Sequence, residues 1–368
     1  MFFSIAKKFI GVLLYVIVNS IAFGDSLSID IDNNDINQRN SYVSQNTLLP
    51  NIGSSPNTGF LLGVFVNRRF KFSKKIELTR PSNINVSITY TEKKQFIFKI
   101  RNQIFSPEEK WRWDGKIEGK QFPEVFYGIG NNTTEKDTSN IFWNRYDFDQ
   151  RLLKKFSRNN FVGGQIKFQK LTDFEHISGK NYNIIKGFNN NSLIYGTGLT
   201  YVFDTRDDVY TSKKGIYLEI KSDIYHGDYS FKTFNTDLRK FINKNNLVFA
   251  WQGKINFLSG AAPFWELPML GSEEIMRGFY EGRYRDNNAV ASQFEIRHKI
   301  LSRIGYVLFF GLGQVSNNIT EFNLSEMHSN YGFGFRFQLN KNDPTNIRFD
   351  IGLFSGGGGL LIKFREAF

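Results

Sequence analysis

The chain has 368 residues, a formal net charge of +12, no cysteine, and 39 phenylalanines despite a mean hydropathy of −0.36. The lack of cysteine excludes disulfide bonds and a lipid-anchored amino terminus, and no later apolar run reaches the roughly 18 residues that a membrane-spanning helix needs. A transmembrane β-barrel reconciles many rings with low hydropathy, because its rings face lipid while its polar side chains face the lumen.

The amino terminus has the pattern of a secretory signal peptide. Lys7 and Lys8 form the positive start, residues 9–23 form the apolar run, and Ala22-Phe23-Gly24 is a small-residue cleavage site. The apolar run is shorter than the roughly 20 residues of a spanning helix, which disfavours the alternative of a membrane anchor. We expect a signal peptide over residues 1–24, cleavage after Gly24, and export of the remainder.

Residues 25–57 are rich in Asn, Asp and Ser and contain few apolar side chains. Such a composition is typical of a flexible segment. We predict a flexible periplasmic lead-in here, which is too short to form a folded substrate-capture domain.

Residues 58–368 alternate between apolar and polar side chains with a period of two. In the segment 331–339, for example, Tyr331, Phe333 and Phe335 share one face, and Arg336 and Gln338 share the other. A soluble β-sandwich would alternate too, but strands of about 10 residues, aromatic apolar faces and the export signal favour an antiparallel transmembrane barrel. Because an open sheet edge cannot face lipid, the sheet must close. Strands are predicted near 58–70, 84–91, 94–104, 110–119, 141–155, 160–174, 191–205, 215–226, 230–243, 245–258, 289–300, 302–313, 329–340, 345–354 and 358–368.

These fifteen segments leave one strand unaccounted for. Bacterial single-chain barrels have an even number of strands. Five of the predicted strands follow the loop at 271–285, so an odd number should precede it if that loop is extracellular, whereas ten are found. We therefore expect sixteen strands, with the missing one in 120–140, 175–190 or 25–57.

Several motifs occur in a fixed order along the predicted strands. Asp204, Arg206 and Asp207 follow one strand, and Gly215 opens the next. Further motifs are Arg277-Gly278-Phe279 in the Gly-rich loop 271–285, Gln293-Phe294-Glu295-Ile296-Arg297, Tyr331 to Arg336, and Arg348-Phe349-Asp350. This ordered set, over about residues 50–368, resembles the Omp85 superfamily (bacterial surface antigen D15, or BamA-TamA-like, outer-membrane barrels) in a short form that lacks POTRA domains.

The resemblance implies a role for the arginine-bearing loop. In the family this loop folds into the lumen, and its arginine reaches a carboxylate on the wall. The family's usual acid position holds Gly311 here, so the candidate partners of Arg277 are Glu295 and Asp350, with a slight preference for Asp350. A guanidinium in a partly desolvated lumen needs such a bidentate partner. Gly278 would permit a tight turn and Phe279 would pack against the wall, either as a static plug or as part of a gate.

Two further features belong to the same resemblance. The residues Asp204, Arg206, Asp207 and Gly215 are similar to the family's periplasmic strand-end turn. The four glycines Gly356, Gly357, Gly358 and Gly359 form either a flexible hairpin turn or a weakened seam between the first and last strands, like the family's lateral gate. Phe368 fits an alternating C-terminal assembly signal, although Glu366 occupies an in-phase position.

The resemblance implies an outer-membrane barrel, in bacteria, that assists insertion or translocation of a protein or lipid. The alternative is a passive pore or structural barrel without insertase activity. No catalytic motif supports an enzyme such as an outer-membrane lipase, and no metal-ligand spacing, cofactor motif or nucleic-acid module is recognisable. The expected partners are outer-membrane lipids, a client outer-membrane or secreted protein, and a separate periplasmic protein.

Overall fold

The computed structural model describes residues 44–72, 79–185, 187–188, 190–209, 211–340 and 343–368. The predicted signal peptide at 1–24 and most of the predicted lead-in lie outside the described residues. No helix within these ranges is long and apolar enough to cross a bilayer.

Sixteen antiparallel strands close into a barrel, which confirms the predicted fold class and strand number. Each strand pairs with its neighbours in chain order, and the last strand returns to the first. The barrel strands are β1 (Gln45–Ser55), β2 (Gly59–Phe70), β3 (Ser82–Thr91), β4 (Phe96–Phe105), β5 (Trp111–Phe126), β6 (Ser139–Ser157), β7 (Asn160–Gly179), β8 (Ser192–Asp204), β9 (Gly215–Gly227), β10 (Ser230–Lys244), β11 (Leu247–Ala261), β14 (Asn288–Lys299), β15 (Ile304–Ser316), β16 (His328–Asn340), β17 (Asp343–Phe354) and β18 (Gly357–Phe364). The loop between β11 and β14 contains a two-stranded sheet of β12 (Met269–Leu270) and β13 (Tyr284–Arg285).

The strand missing from the sequence analysis is β1. It lies within 25–57, so the barrel begins at Gln45 and the predicted boundary at 58 is wrong. Eleven register pairs join β1 to β2. The polar composition of the segment does not predict this pairing, because backbone atoms form it. Pro50 lies within β1. Proline lacks an amide hydrogen and is tolerated in strands that are not fully paired on both sides.

The two faces of the strands have opposite chemistry, as the alternation predicts. The outward side chains Tyr331, Phe333, Phe335 and Phe337 of β16 are between 41% and 57% exposed. Arg336 lies on the inward face of the same strand and is buried. Outward rings without protein neighbours are suited to lipid, and inward charges form hydrogen bonds within the lumen.

The two ends of the barrel differ in the length of their connections. The end with mostly short connections, here called the turn end, also contains the start of β1 and the end of β18; the opposite end is called the loop end. The turn-end connections include 106–110, 158–159, 205–214, 245–246 and 300–303. The loop-end connections include 127–138, 180–191, 262–287 and 317–327.

Candidate functional site: the arginine loop and the barrel seam

Residues 262–287, here called the arginine loop, lie inside the barrel. Trp265 Nε1 donates a hydrogen bond to Gln169 Oε1 on β7 at 2.9 Å, and Arg277 Nη1 donates to Asp350 Oδ2 on β17 at 2.7 Å. Strands β7 and β17 stand on opposite sides of the sixteen-strand ring. A single segment can contact both walls only by crossing the lumen.

Arg277 is fully buried and binds both candidate carboxylates. Its Nη1 donates to Asp350, and its Nη2 donates to Glu295 on β14. The guanidinium also lies 3.7 Å from the centroid of the Phe309 ring, a cation–π contact. The sequence analysis treated the two acids as alternatives, whereas the structure brings them together at one arginine.

Each of these acids has a second arginine partner. Arg297 Nε donates to Glu295 Oε2 at 2.7 Å, and Arg336 Nη1 donates to Asp350 Oδ1 at 2.5 Å. Buried charges lose their hydration, so an arginine–carboxylate pair needs hydrogen bonds that satisfy its remaining atoms. In this network all four carboxylate oxygens of Glu295 and Asp350 accept a hydrogen bond from an arginine, although Arg277 Nε has no acceptor. The network ties the arginine loop to the wall at β14 and β17.

Three glycines let the loop backbone lie directly on the wall beside the seam. Gly352 on β17 and Gly359 on β18 are register partners, so neither strand has an inward side chain at this point. A Cβ on Gly359 would lie 2.9 Å from the carbonyl oxygen of Gly278, and one on Gly352 would collide with the backbone of Arg277. Gly278 has φ +102°, which favours glycine. The sequence analysis missed the role of Gly352 and Gly359, although both stand at inward positions of alternating strands.

Phe279 belongs to a small apolar cluster next to the seam. Its ring stacks on that of Phe354 at the end of β17, with centroids 4.0 Å apart. The cluster also includes Leu270, Ile275, Met276, Ala289 and Val315. The contact fastens the tip of the loop to the same wall that Arg277 binds.

The seam between β18 and β1 is weakly paired. Eight register pairs join β18 to β17, whereas among the described residues only Ser54 and Ile362 pair β1 with β18. Gly356 is the turn residue before β18, with φ +98°, and Gly357 to Gly359 are the first residues of that strand. The glycine run therefore supplies both the hairpin turn and part of the seam strand.

The arginine loop contacts both sides of this seam. On one side, Asn57 in the β1–β2 turn accepts a hydrogen bond from the backbone amide of Glu281 at 2.6 Å. On the other side, Lys363 of β18 lies 2.5 Å from Glu273. The loop thus joins two strands that have little backbone pairing of their own.

The chain leaves the barrel wall after β18, so the predicted strand over 358–368 ends early, at Phe364. Arg365 has φ +71°, and Glu366 then accepts hydrogen bonds from Arg336 Nε at 2.7 Å and Asn346 Nδ2 at 2.9 Å. Burial raises the pKa of Glu366, but Arg336 and Arg297 outweigh it and hold this pKa at about 2. The prediction that Glu366 belongs to an alternating strand running to Phe368 is therefore wrong. Its carboxylate lies inside the barrel, where it binds Arg336 and Asn346.

Phe368 also lies inside the turn end, and not on the lipid-facing surface that an alternating terminal strand would give it. Its ring packs near Phe241 of β10, with centroids 5.9 Å apart, and its backbone oxygen accepts from Arg297 Nη2 at 3.1 Å. The side chain is 5% exposed. The tail at 365–368 therefore closes part of the turn-end mouth.

The predicted strand-end turn is a compact hydrogen-bonded structure at the turn end. Asp204, the last residue of β8, binds Arg206 Nε at 2.9 Å and Arg80 Nη1 at 2.7 Å. Asp207 Oδ1 accepts from the backbone amide of Lys213 at 2.9 Å, and Gly215 has φ +110°. These contacts hold the β8–β9 connection against the β2–β3 connection.

Among the described residues, no group of His, Asp and Glu side chains could hold a metal ion.

Comparison with known proteins identifies the family of this chain. The Omp85 superfamily domain matches residues 74–355. None of the curated proteins matches the chain.

Solved structures share the fold at low sequence identity. BamA from Haemophilus ducreyi lacking POTRA domains 1–3 has a TM-score of 0.56 and 14% identity, and the match covers 88% of this chain and 69% of that one. CdiB from Acinetobacter baumannii has a TM-score of 0.56 and 12% identity, with 88% and 59% covered. CdiB from Escherichia coli has a TM-score of 0.55 and 10% identity, with 87% and 62% covered. This chain therefore spans about three fifths of the two CdiB chains.

Proposed function

Because this chain belongs to the Omp85 superfamily, whose domain matches residues 74–355, we propose that it assists insertion or translocation of a protein or lipid at a bacterial outer membrane. The short connections of such barrels face the periplasm, and the longer loops face outward. The turn end is then periplasmic, and the aromatic outer wall contacts lipid. A client protein and a separate periplasmic protein are the proposed partners.

The weakly paired seam is the observation that carries this proposal. A membrane barrel stays closed because unpaired backbone groups in lipid cost several kcal/mol each. Parting β18 from β1 breaks the pairing at Ser54 and Ile362, whereas parting β6 from β7 breaks seventeen register pairs. Opening toward lipid is therefore cheapest at the seam, where an incoming strand would find free edges.

The arginine loop gives the seam a controllable restraint. Its contacts with Asn57 on one side and Lys363 on the other add side-chain bonds where backbone bonds are few. A shift of the loop toward the lumen would release both contacts together. We propose that loop displacement and seam opening are coupled.

A disulfide across the seam tests the proposal. Cysteines introduced by Ser54→Cys and Ile362→Cys stand at register partners, and the native chain has no cysteine to interfere. A matched control uses Lys154→Cys and Val162→Cys, register partners on β6 and β7. Cells depleted of the native protein should regain their envelope proteins with the control under oxidising conditions, and with the seam-locked barrel only after reduction. Full activity of the oxidised seam-locked barrel would contradict lateral opening.

The passive-pore alternative predicts a different electrical behaviour. In a planar bilayer, a barrel filled by the arginine loop should conduct weakly and irregularly, and Arg277→Ala should raise its conductance by loosening the loop from Glu295 and Asp350. A large, steady conductance that Arg277→Ala leaves unchanged would favour the pore.

A further inference from the structure

Two lysines stand on the outer surface of the barrel near its turn end. In β10 the even-numbered side chains point outward, and the apolar members Phe234 and Ile242 are exposed there. Lys240 and Lys244 lie on the same face and are also exposed. Because Lys244 is the last residue of β10, both lysines belong to the turn-end rim of the outer wall. The function proposed above uses neither of them.

The side chains around these lysines are apolar. The register partners of Lys240 are Ile216 on β9 and Trp251 on β11, and Lys244 is paired with Leu247 on β11. No carboxylate in the described part of the chain forms an ion pair with either lysine. Two cations therefore stand in an apolar surface without a charge that offsets their own.

The carboxylates of the neighbouring strands are used inside the barrel. Asp237 on the inner face of β10 binds Arg239, with Oδ2 and Nη2 2.6 Å apart. Glu219 on the inner face of β9 binds Arg151, also at 2.6 Å. The strands themselves separate these acids from the outward lysines. An anion that offsets Lys240 and Lys244 must come from outside the chain.

The depth of the lysines in the membrane indicates which anion this is. A lysine near the end of a membrane strand keeps its methylene groups on apolar surface and extends its ammonium group toward the lipid headgroups. Lys232 lies on the same face of β10, about eight residues nearer the loop end, close to the roughly 9–11 residues with which a strand crosses a bilayer. Lys240 and Lys244 are then at one membrane boundary, where phospholipid phosphates lie. The apolar side chains around them need lipid contact, which a water-soluble acidic protein would not supply.

We propose that the outer face of β10 and β11 at the turn end binds anionic phospholipid. Lys240 and Lys244 hold the headgroup, and the ring of Trp251, whose Nε1 donates to Ser292 Oγ at 2.9 Å, packs beside the glycerol backbone. A zwitterionic headgroup carries its own cation, whereas an anionic headgroup keeps a net negative charge for the lysines. This inference rests on the membrane location proposed above, and it does not depend on opening of the seam.

Quenching of tryptophan fluorescence by brominated lipids tests the proposal at this position. The background variant Trp111→Phe/Trp113→Phe removes two exposed tryptophans, and Trp143 and Trp265 are buried inside the barrel, so Trp251 is the remaining lipid-facing ring. The full barrel is reconstituted in phosphatidylcholine vesicles that contain a minor fraction of brominated phosphatidylglycerol or of brominated phosphatidylcholine. We expect the two quenching curves to give about a fivefold preference for phosphatidylglycerol, which is the gain that one basic side chain supplies beside a charged headgroup.

Three double variants in this background separate a specific site from general attraction. Lys240→Gln/Lys244→Gln should abolish the preference, and Lys240→Arg/Lys244→Arg should keep it because the charge is retained. The matched control Lys170→Gln/Lys232→Gln removes two exposed, outward lysines nearer the loop end and should also keep it. Equal loss in the two glutamine variants would show attraction by net charge alone and overturn the proposal.

The same measurement distinguishes failure of this inference from failure of the proposed function. Equal quenching of Trp251 by both lipids would show that the wall contacts lipid but would overturn preferential binding of anionic phospholipid. Absence of quenching by either lipid would contradict the membrane location as well. Lateral opening is tested separately by the activity of the seam-locked barrel, whose substitutions lie on β1 and β18.

Discussion

The seam and the wall formed by β6 and β7 are built from the same kind of strand but are held together differently. Strands β6 and β7 have 19 and 20 residues and share seventeen register pairs. Strand β18 has 8 residues, and among the described residues it meets β1 at one register pair. Backbone bonds hold the wall, whereas side chains and the arginine loop hold the seam.

The arginine loop connects these two regions. Its first part is anchored on the rigid wall, where Trp265 binds Gln169 and Glu266 lies 3.0 Å from Arg145. Its tip, with Arg277, rests beside the seam. Because the loop is anchored on β6 and β7 and also contacts the seam strands, it can restrain opening of the seam without preventing it.

Hydrogen exchange should reveal the largest difference between the two regions. Backbone amides of β18 around Ile362 have a nearly unpaired strand edge on one side, while those of β7 around Ile166 are paired on both sides. We expect exchange at the seam to be about a thousandfold faster, because local opening there costs about 4 kcal/mol less. Mass spectrometry of peptides from the two strands measures this ratio, and equal protection would show that the seam is not a weak point.

Replacing Arg277 should weaken the attachment of the arginine loop to β14 and β17. Arg277→Ala leaves Glu295 and Asp350 buried with one fewer cation each, and should lower the free energy of unfolding by about 3 kcal/mol. The control is Arg283→Ala in the same loop, which loses two hydrogen bonds to Thr133 and cation–π contacts with Tyr127 and Tyr284 but no ion pair, and should cost about 1.5 kcal/mol. Urea titration in detergent micelles compares the two. A larger effect of Arg283→Ala would contradict the assignment.

Two glycine-to-alanine substitutions test the contact between the arginine loop and strand β17. Gly352→Ala places a Cβ against the backbone of Arg277 and Gly278, and should cost about 2 kcal/mol of stability. Gly164→Ala on β7 is the matched change in the strong wall, where the nearest atom would be 3.8 Å away. It should be neutral or stabilise by less than about 1 kcal/mol. Equal effects in the same urea titration would mean that the loop backbone does not lie on β17.

The smallest expected effect concerns the tail at the turn end. Glu366 has a pKa of about 2, below its usual value, so its bond to Arg336 stabilises the folded state above about pH 4.5 and is lost as the pH falls toward 2. Glu366→Gln should therefore destabilise the barrel by about 1 kcal/mol at pH 7 and progressively less below pH 4.5. Thermal unfolding followed by circular dichroism measures the difference at each pH. Glu326→Gln on the exposed loop end should show no difference, and a pH-independent cost at Glu366 would refute the ion pair.

The alternation of apolar and polar residues predicted fifteen of the sixteen strands, since side chains of a lipid-facing sheet must alternate. It missed β1, because few apolar residues mark Gln45–Ser55 and its pairing with β2 is made by backbone atoms. It also extended β18 to Phe368, although the chain turns inward at Arg365. Where a strand ends depends on the hydrogen-bond partners of the residues that follow it, and those partners are distant in sequence.

By itself the sequence predicted the closed antiparallel barrel, the even strand number, and the inward faces of Glu295 and Asp350, because period-two patterning and the need to pair every backbone group in lipid act locally along the chain. The inward position of Arg277 was implied only by the resemblance to the Omp85 superfamily. Only the tertiary structure decided that one arginine holds both acids, that Gly352 and Gly359 seat the loop, and that the seam is the weakest join. These outcomes depend on distances between strands far apart in the chain, and such distances exist only once the ring has closed.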